Sequence, residues 1–267
     1  MLFFLSIFIL YIKASDISST CINDDFDETL VCPTEFQIVS GEIVILSSNS
    51  DLKHGSEGAV GISSDGKFAI KMATSDEGLS GLCNERRMLK YLNSKQISGI
   101  PHMYEIAIDS QKCASHLLVT DNVGPYDLHS LWGTRVSRST LYLLAAKILT
   151  VIQNIHDTGI VHGDIHCENV MFKSLADPSA SVTIIDFGQS KLSSFLPYLW
   201  EDVAKGLGIV YDVLREIGET DPIFEALQKA SFGSRREPIP YSSWIERLEQ
   251  EASIINLSDN APSQLTI

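Results

Sequence analysis

The sequence predicts an α+β protein of two lobes, a β-rich first lobe followed by a reduced helical second lobe. Three observations predict it. Short β-branched runs bounded by Gly, Ser and Asp turns come first, and stretches with apolar residues at i, i+3 and i+4 come later. The composition, 44% hydrophobic with 17 Gly and 9 Pro in 267 residues, suits a chain that buries a core and excludes disordered or collagen-like classes. Strands followed by helices make the cleft between two lobes the default place for a ligand.

Residues 1–15 read as a signal peptide. Leu2 to Ile12 is apolar apart from Ser6 and is closed by Lys13, Ala14 and Ser15. That run is too short for the ~20 residues of a membrane span and matches the 7–15 of a signal core. No stable membrane span is expected after cleavage, and the expected location is the secretory pathway or outside the cell. Residues 16–34 form an acidic leader with Asp16, Asp24, Asp25, Asp27 and Glu28 and no Lys or Arg. The first lobe is expected over 35–120, the second over 121–256, and a tail over 257–267.

Within the first lobe, Phe36 to Leu46 reads as a strand pair or a bent strand around Ser40-Gly41, and Gly55, Gly58 and Gly61 read as a glycine-rich turn. Phe68 to Met72 is a strand whose alternation puts Ala69 and Lys71 on one face. Gly81 to Leu92 is helical, and Leu117 to Val119 is a further strand. In the second lobe, Leu141, Leu144, Ala145, Ile148, Ile152 and Ile155 have the spacing of a long buried helix. Val170 to Phe172 and Val182 to Ile185 read as a hairpin, and Val203–Ile217 and Tyr241–Ala252 as helices.

The 34 acidic against 20 basic residues give a net charge of −14. That balance argues against nucleic acid and anionic lipid as partners and would steer basic protein partners. Five cysteines, an odd count, leave at least one thiol unpaired or paired between chains, and Cys21 and Cys32 are close enough in sequence to bridge in an oxidising compartment. No CxxC spacing occurs, so zinc is not expected.

Four signals that bear chemistry follow one another. Gly55-Ser56-Glu57-Gly58-Ala59-Val60 could let backbone N–H groups approach a phosphate, or be an ordinary hairpin turn. Lys71, with Glu85 fourteen residues on, could be a phosphate-binding cation held by a carboxylate, or a surface pair. His162-Gly163-Asp164-Ile165-His166-Cys167-Glu168-Asn169 sets a carboxylate and an amide five residues apart, suited to accepting a hydroxyl proton and binding a metal, or to a plain polar turn. Ile184-Ile185-Asp186-Phe187-Gly188 delivers an Asp at a strand end. All four in this order form a joint signal much stronger than any one.

Together they resemble the protein-kinase-like superfamily over roughly Leu52 to Tyr211. Gly99-Ile100-Pro101 and Val123-Gly124-Pro125 are similar to the casein kinase I group. The resemblance implies ATP and Mg²⁺ as cofactors. It implies Lys71 on the α/β-phosphates, Glu85 holding Lys71, Asp186 and Asn169 as metal ligands, and Asp164 as the group that orients and deprotonates the acceptor. Leu52, Val60, Ala69, Met171 and Ile185 would sandwich the adenine beside Gly55 and Gly58. Thr120 would be the gatekeeper and Asp121 to Val123 the hinge, and Asp202 would brace the catalytic loop.

The sequence departs from the pattern at Lys53, which stands for the first loop glycine, and at Gly163, which stands for Arg. Asp202 comes only fourteen positions after Gly188, with no A-P-E motif between them, so the platform for a peptide substrate is shortened. A secreted Ser/Thr protein kinase is the expectation. The alternatives are a small-molecule kinase of the aminoglycoside or choline kinase type, to which His166 points, and a non-catalytic nucleotide-binding module.

Overall fold

The computed structural model describes residues 35–46, 52–54, 58–107, 115–193, 196–215, 223, 226, 229 and 241–259. The expected signal peptide and acidic leader, Cys21, Cys32 and Gly55 lie outside the described residues. Among the described residues no helix is long and apolar enough to cross a membrane.

The chain opens with a hairpin, β1 (Glu35–Gln37) and β2 (Ile43–Ile45), as the β-branched run around Ser40-Gly41 leads one to expect. A five-stranded antiparallel sheet follows, built from β3 (Lys53–His54), β4 (Gly58–Ile62), β5 (Phe68–Ala73), β6 (Met103–Tyr104) and β7 (Leu117–Asp121), in the order β3-β4-β5-β7-β6. Its register sorts the side chains into two faces. Val60 pairs with Lys71 and Ala69 with Thr120, so all four side chains share one face. On the opposite face Phe68, Ile70, Leu117 and Val119 form a small core with Phe36, Ile38 and Val44 of the hairpin.

Gly58 and Gly61 belong to strand β4, not to the turn expected from the sequence. A Cβ on Gly58 would lie 2.2 Å from the Met72 carbonyl oxygen, so close strand packing alone requires glycine there.

Helix α1 (Asp76–Ser94) begins before the expected Gly81, because the Ser75 hydroxyl caps it by accepting the Gly78 N–H at 3.1 Å. It buries Leu82, Met88, Leu89 and Leu92, with Glu85 on the same side. Beyond β7 come β8 (Tyr126–Asp127), a 3₁₀ turn over Leu128–Leu131, and helix α2 (Arg138–Asp157), capped by Ser137. The expected apolar stripe of α2 is fully buried at Leu144, Ala145, Ile148, Ile152 and Ile155 and forms the axis of the larger core.

Short strands then set out the polar loops: β9 (Ile160–Val161), a 3₁₀ turn at Cys167–Asn169, β10 (Val170–Phe172), β11 (Thr183–Ile184) and β12 (Lys191–Leu192). β10 pairs with β11 as the expected hairpin, and β12 pairs with β9. Helices α3 (Leu196–Arg215) and α4 (Tyr241–Asp259) pack on α2. α3 starts before the expected Val203 and so carries Asp202 within a helix, and α4 runs into the expected tail.

Candidate active site

Lys71 reaches its partners from the cleft face of β5. Its Nζ lies 2.9 Å from Glu85 Oε2 and 3.0 Å from Asp186 Oδ1, so one ammonium ties sheet, helix and the loop after β11 together. Glu85 is 6% exposed and Lys71 21%. Burial disfavours the Lys71 ammonium, but the two carboxylates outweigh it and hold its pKa well above the ordinary lysine value. Burial likewise pushes Glu85 upward, against the pull of Lys71 and the Phe187 N–H, which donates to Oε1 at 3.3 Å. Asp186 lies below its usual range: burial opposes ionisation, and Lys71 with the Gly188 N–H at 3.3 Å overcomes it.

Asp186 has a positive φ of 65°, unusual for a residue with a side chain. The turn sends Phe187 into the core against the His162 ring, at 4.8 Å between centroids, while the Asp186 carboxylate stays partly exposed. Asn84, which the motif reading did not single out, donates through Nδ2 to the carbonyls of Gly188 at 2.8 Å and Ser190 at 2.7 Å. Its position next to Glu85, on a helix already assigned to the site, was the available signal.

The opposite wall is the loop from His162 to Asn169. Buried Asp202 of α3 accepts the N–H of His162 at 2.5 Å and of Gly163 at 3.0 Å, which is the bracing role expected for it. His156 Nε2 is a third partner of Asp202, at 3.2 Å, and was not foreseen. His162 is buried and its pKa lies below the ordinary imidazole value because burial outweighs the nearby acids. Its neutral ring donates from Nε2 to the Ile185 carbonyl at 3.0 Å and accepts the Asp164 N–H on Nδ1 at 3.3 Å. The loop is thus tied to the strand that delivers Asp186.

Asn169 Nδ2 donates to the Asp164 carbonyl at 2.9 Å and reaches Asp164 Oδ2 at 3.5 Å. His166 Nε2 lies 2.8 Å from Asn169 Nδ2 and 3.4 Å from Asp164 Oδ2, within reach of both. Gly163 has φ +86° and no room for a side chain: a Cβ would sit 2.7 Å from the Gln189 carbonyl oxygen. The absent Arg therefore has a steric cause.

The donor set fits a nucleotide and a magnesium ion. Asp186 and the Asn169 amide oxygen are hard donors, and Mg²⁺ takes one or two such groups while leaving positions for water and phosphate. Among the described residues no group of three or more His, Cys, Asp or Glu side chains could hold a metal by itself. At the hinge the Asp121 N–H is spent on the His102 carbonyl at 3.0 Å. Val123 makes no hydrogen bond among the described residues, so its N–H and carbonyl stay open to the edge of a base. Leu52, Val60, Ala69, Met171 and Ile185 are all partly exposed apolar residues, as walls awaiting a flat ring would be.

Cys83 on α1 is disulfide-bonded and Cys167 is free, in accord with an odd cysteine count.

A model of the protein kinase domain matches residues 55–196, just over half of the chain. Casein kinase I homolog RAG8 of Kluyveromyces lactis is 32% identical over 127 residues, 46% of this chain and 23% of that protein. Casein kinase I homolog 2 of Schizosaccharomyces pombe is 30% identical over 145 residues, 51% of this chain and 32% of that protein. Mitogen-activated protein kinase kinase kinase 1 of Arabidopsis thaliana is 31% identical over 151 residues, 54% of this chain and 24% of that protein. The matched stretch spans a quarter to a third of the length of these relatives. With that match over most of the two walls just described, the chain belongs to the protein kinase family.

Proposed function

We propose that the chain is an ATP- and Mg²⁺-dependent Ser/Thr protein kinase that works in the secretory pathway or outside the cell. The observation that carries the catalytic reading is the Lys71 ammonium held between Glu85 and Asp186, facing a loop that presents Asp164 and Asn169. Bound nucleotide and metal supply the transferable phosphoryl group and neutralise its charge. Lys71, fixed by Glu85, is placed to bind phosphate oxygens, and Asp186 with Asn169 to hold the metal. Asp164 accepts the proton of the acceptor hydroxyl and orients its oxygen for attack. The apolar run at 2–12 and the Cys83 disulfide support an oxidising location, and the net charge of −14 favours basic protein substrates.

The test is incubation of the full chain, expressed through a secreting host, with γ-labelled ATP, Mg²⁺ and mixed protein acceptors. Label should enter protein and Asp164→Asn should abolish it; equal labelling by the variant would overturn the assignment. A second reading, a small-molecule kinase, is favoured by one observation, His166 Nε2 lying beside both Asp164 and Asn169. Label confined to low-molecular-weight products would select it.

A further inference from the structure

We propose that Asn256 is an N-glycosylation site, at the end of the second lobe away from the catalytic loop. The proposal rests on the secretory-pathway reading above and adds a covalent modification to it. Of the nine asparagines in the chain, Asn256 alone begins the Asn-x-Ser/Thr pattern that directs an oligosaccharide to asparagine, as Asn256-Leu257-Ser258. The pattern has meaning only in the secretory compartment, which is also where disulfides persist. Two independent features point there: the apolar run at 2–12 closed by Lys13-Ala14-Ser15, and the Cys83 disulfide.

Helix α4 carries the site away from the chemistry. Its first residue, Tyr241, packs on the ring of His156, the partner of Asp202, at 5.6 Å between centroids. His156 stands in the last turn of α2, and α4 packs along α2, so α4 runs back toward the start of that helix. Asn256 is fifteen residues beyond Tyr241, about 22 Å along the axis. A glycan there is anchored well clear of Lys71, Asp164 and Asn169.

The fold has room for the product. A glycan is bulky and hydrophilic, so the asparagine that bears it must face solvent. Asn256 is exposed, as are Ser253 and Glu249, one and two turns before it. The inward side of the same helix is separate: Tyr241, Trp244, Leu248 and Ala252 belong to the larger core. The pattern falls in the last turn of α4, where the final carbonyls have no partner within the helix and the backbone frays readily toward the form a transferase can grip. In the transfer, Asn256 Nδ2 attacks the anomeric carbon of an oligosaccharide carried on a lipid diphosphate. A C–N bond forms, the C–O bond to the diphosphate breaks, the lipid diphosphate leaves, and one amide proton is lost.

The test is the mass of the full chain secreted from a eukaryotic host, read before and after digestion with peptide N-glycosidase. Digestion should remove one oligosaccharide and leave an aspartate at position 256 in the mapped peptide. Asn256→Gln and Ser258→Ala should each abolish the mass change, and Ser258→Thr should keep it. kcat/KM of the Asn256→Gln chain should stay within about twofold of the parent, as for a surface change away from the site. A larger loss overturns the placement clear of the chemistry. A secreted chain whose mass digestion does not alter overturns the glycan and leaves the secretory reading intact. A mass change that persists in Asn256→Gln overturns the assignment to this residue. A chain that stays in the cytosol with residues 1–15 uncut overturns both. If Asn256→Gln fails to fold, the mapped peptide of the parent and Ser258→Ala decide the point.

Discussion

Gly163→Ala isolates the physical cause of the most visible departure from the family pattern. A Cβ at this position would stand 2.7 Å from the Gln189 carbonyl oxygen and 3.3 Å from its carbon, and both are backbone atoms. The φ of +86° adds ~1–2 kcal/mol for any residue with a side chain. Relief of the contact means moving Gln189, whose neighbour Ser190 is fastened by its hydroxyl to the His162 carbonyl at 2.8 Å and by its own carbonyl to Asn84 at 2.7 Å. Overpacking against such fixed groups costs ~1–3 kcal/mol, while the stiffer unfolded chain of Ala returns ~0.4–1. The net is about 1–4.6 kcal/mol, or a Tm lower by about 2–18 °C for a domain of this size. The same shift displaces Asp164, the next residue, so kcat should fall by more than the change in folded fraction. The assays are thermal denaturation by circular dichroism and steady-state phosphorylation at a temperature where both proteins are folded. Gly163→Arg, which restores the residue common in the family, should be worse than Ala in both. An alanine variant within 2 °C of the parent and unaltered in kcat would refute the steric explanation.

Lys71→Met should lower kcat/KM by roughly 10²–10³ in the labelling assay, because one positioned donor is lost while the sheet that carries it persists. Asp202→Ala leaves the N–H groups of His162 and Gly163 without their charged acceptor. At ~1.5–3 kcal/mol for each such bond it should cost ~3–6 kcal/mol, seen as a Tm fall of about 6 °C or more. His162 has a lowered pKa in the folded chain, so below about pH 6.5 the unfolded chain takes up the proton first and stability falls with acidity. Denaturation midpoints should be flat in this contribution above pH 7 and decline below 6.5, and an NMR titration placing His162 at or above 6.5 would contradict it.

Much of the fold could be read from periodicity, because the segments concerned bury one face. The stripe of α2 and the alternation of β5 gave both the elements and their inward faces. Element starts were harder to read where a polar cap, not an apolar residue, sets them: Ser75 begins α1 before the first apolar repeat. The site was legible where chemistry demands rare residue types in order, at Lys71, Glu85, Asp164, Asn169 and Asp186. It was not legible where common residues act through tertiary contact. Asn84 offers only its place beside Glu85, and His156 and Ser190 carry no spacing signal that distinguishes them from surface polar residues. Gly58 carries two meanings that the sequence does not separate, since the Met72 carbonyl of the neighbouring strand requires glycine there whether or not a phosphate approaches it.

Two adjacent residues of α1 explain how so short a segment after Asp186-Phe187-Gly188 can still be held in order. Glu85 accepts the Phe187 N–H and pairs with Lys71, while Asn84 takes the carbonyls of Gly188 and Ser190. Strand β12 then pairs with β9 immediately before the catalytic loop, and helix α3 begins at Leu196. Asp186 is thus tied to Lys71 of β5, and each of Phe187, Gly188, Ser190, Lys191 and Leu192 to α1, to the catalytic loop, to β9 or to the core. These ties hold residues 186–192, and Gly163 stands where the family pattern has Arg. Two features that look like separate losses in the sequence, the missing Arg and the missing activation segment, are therefore one physical arrangement. The close approach of Gln189 that excludes a side chain at 163 is the same packing that keeps the shortened segment in place.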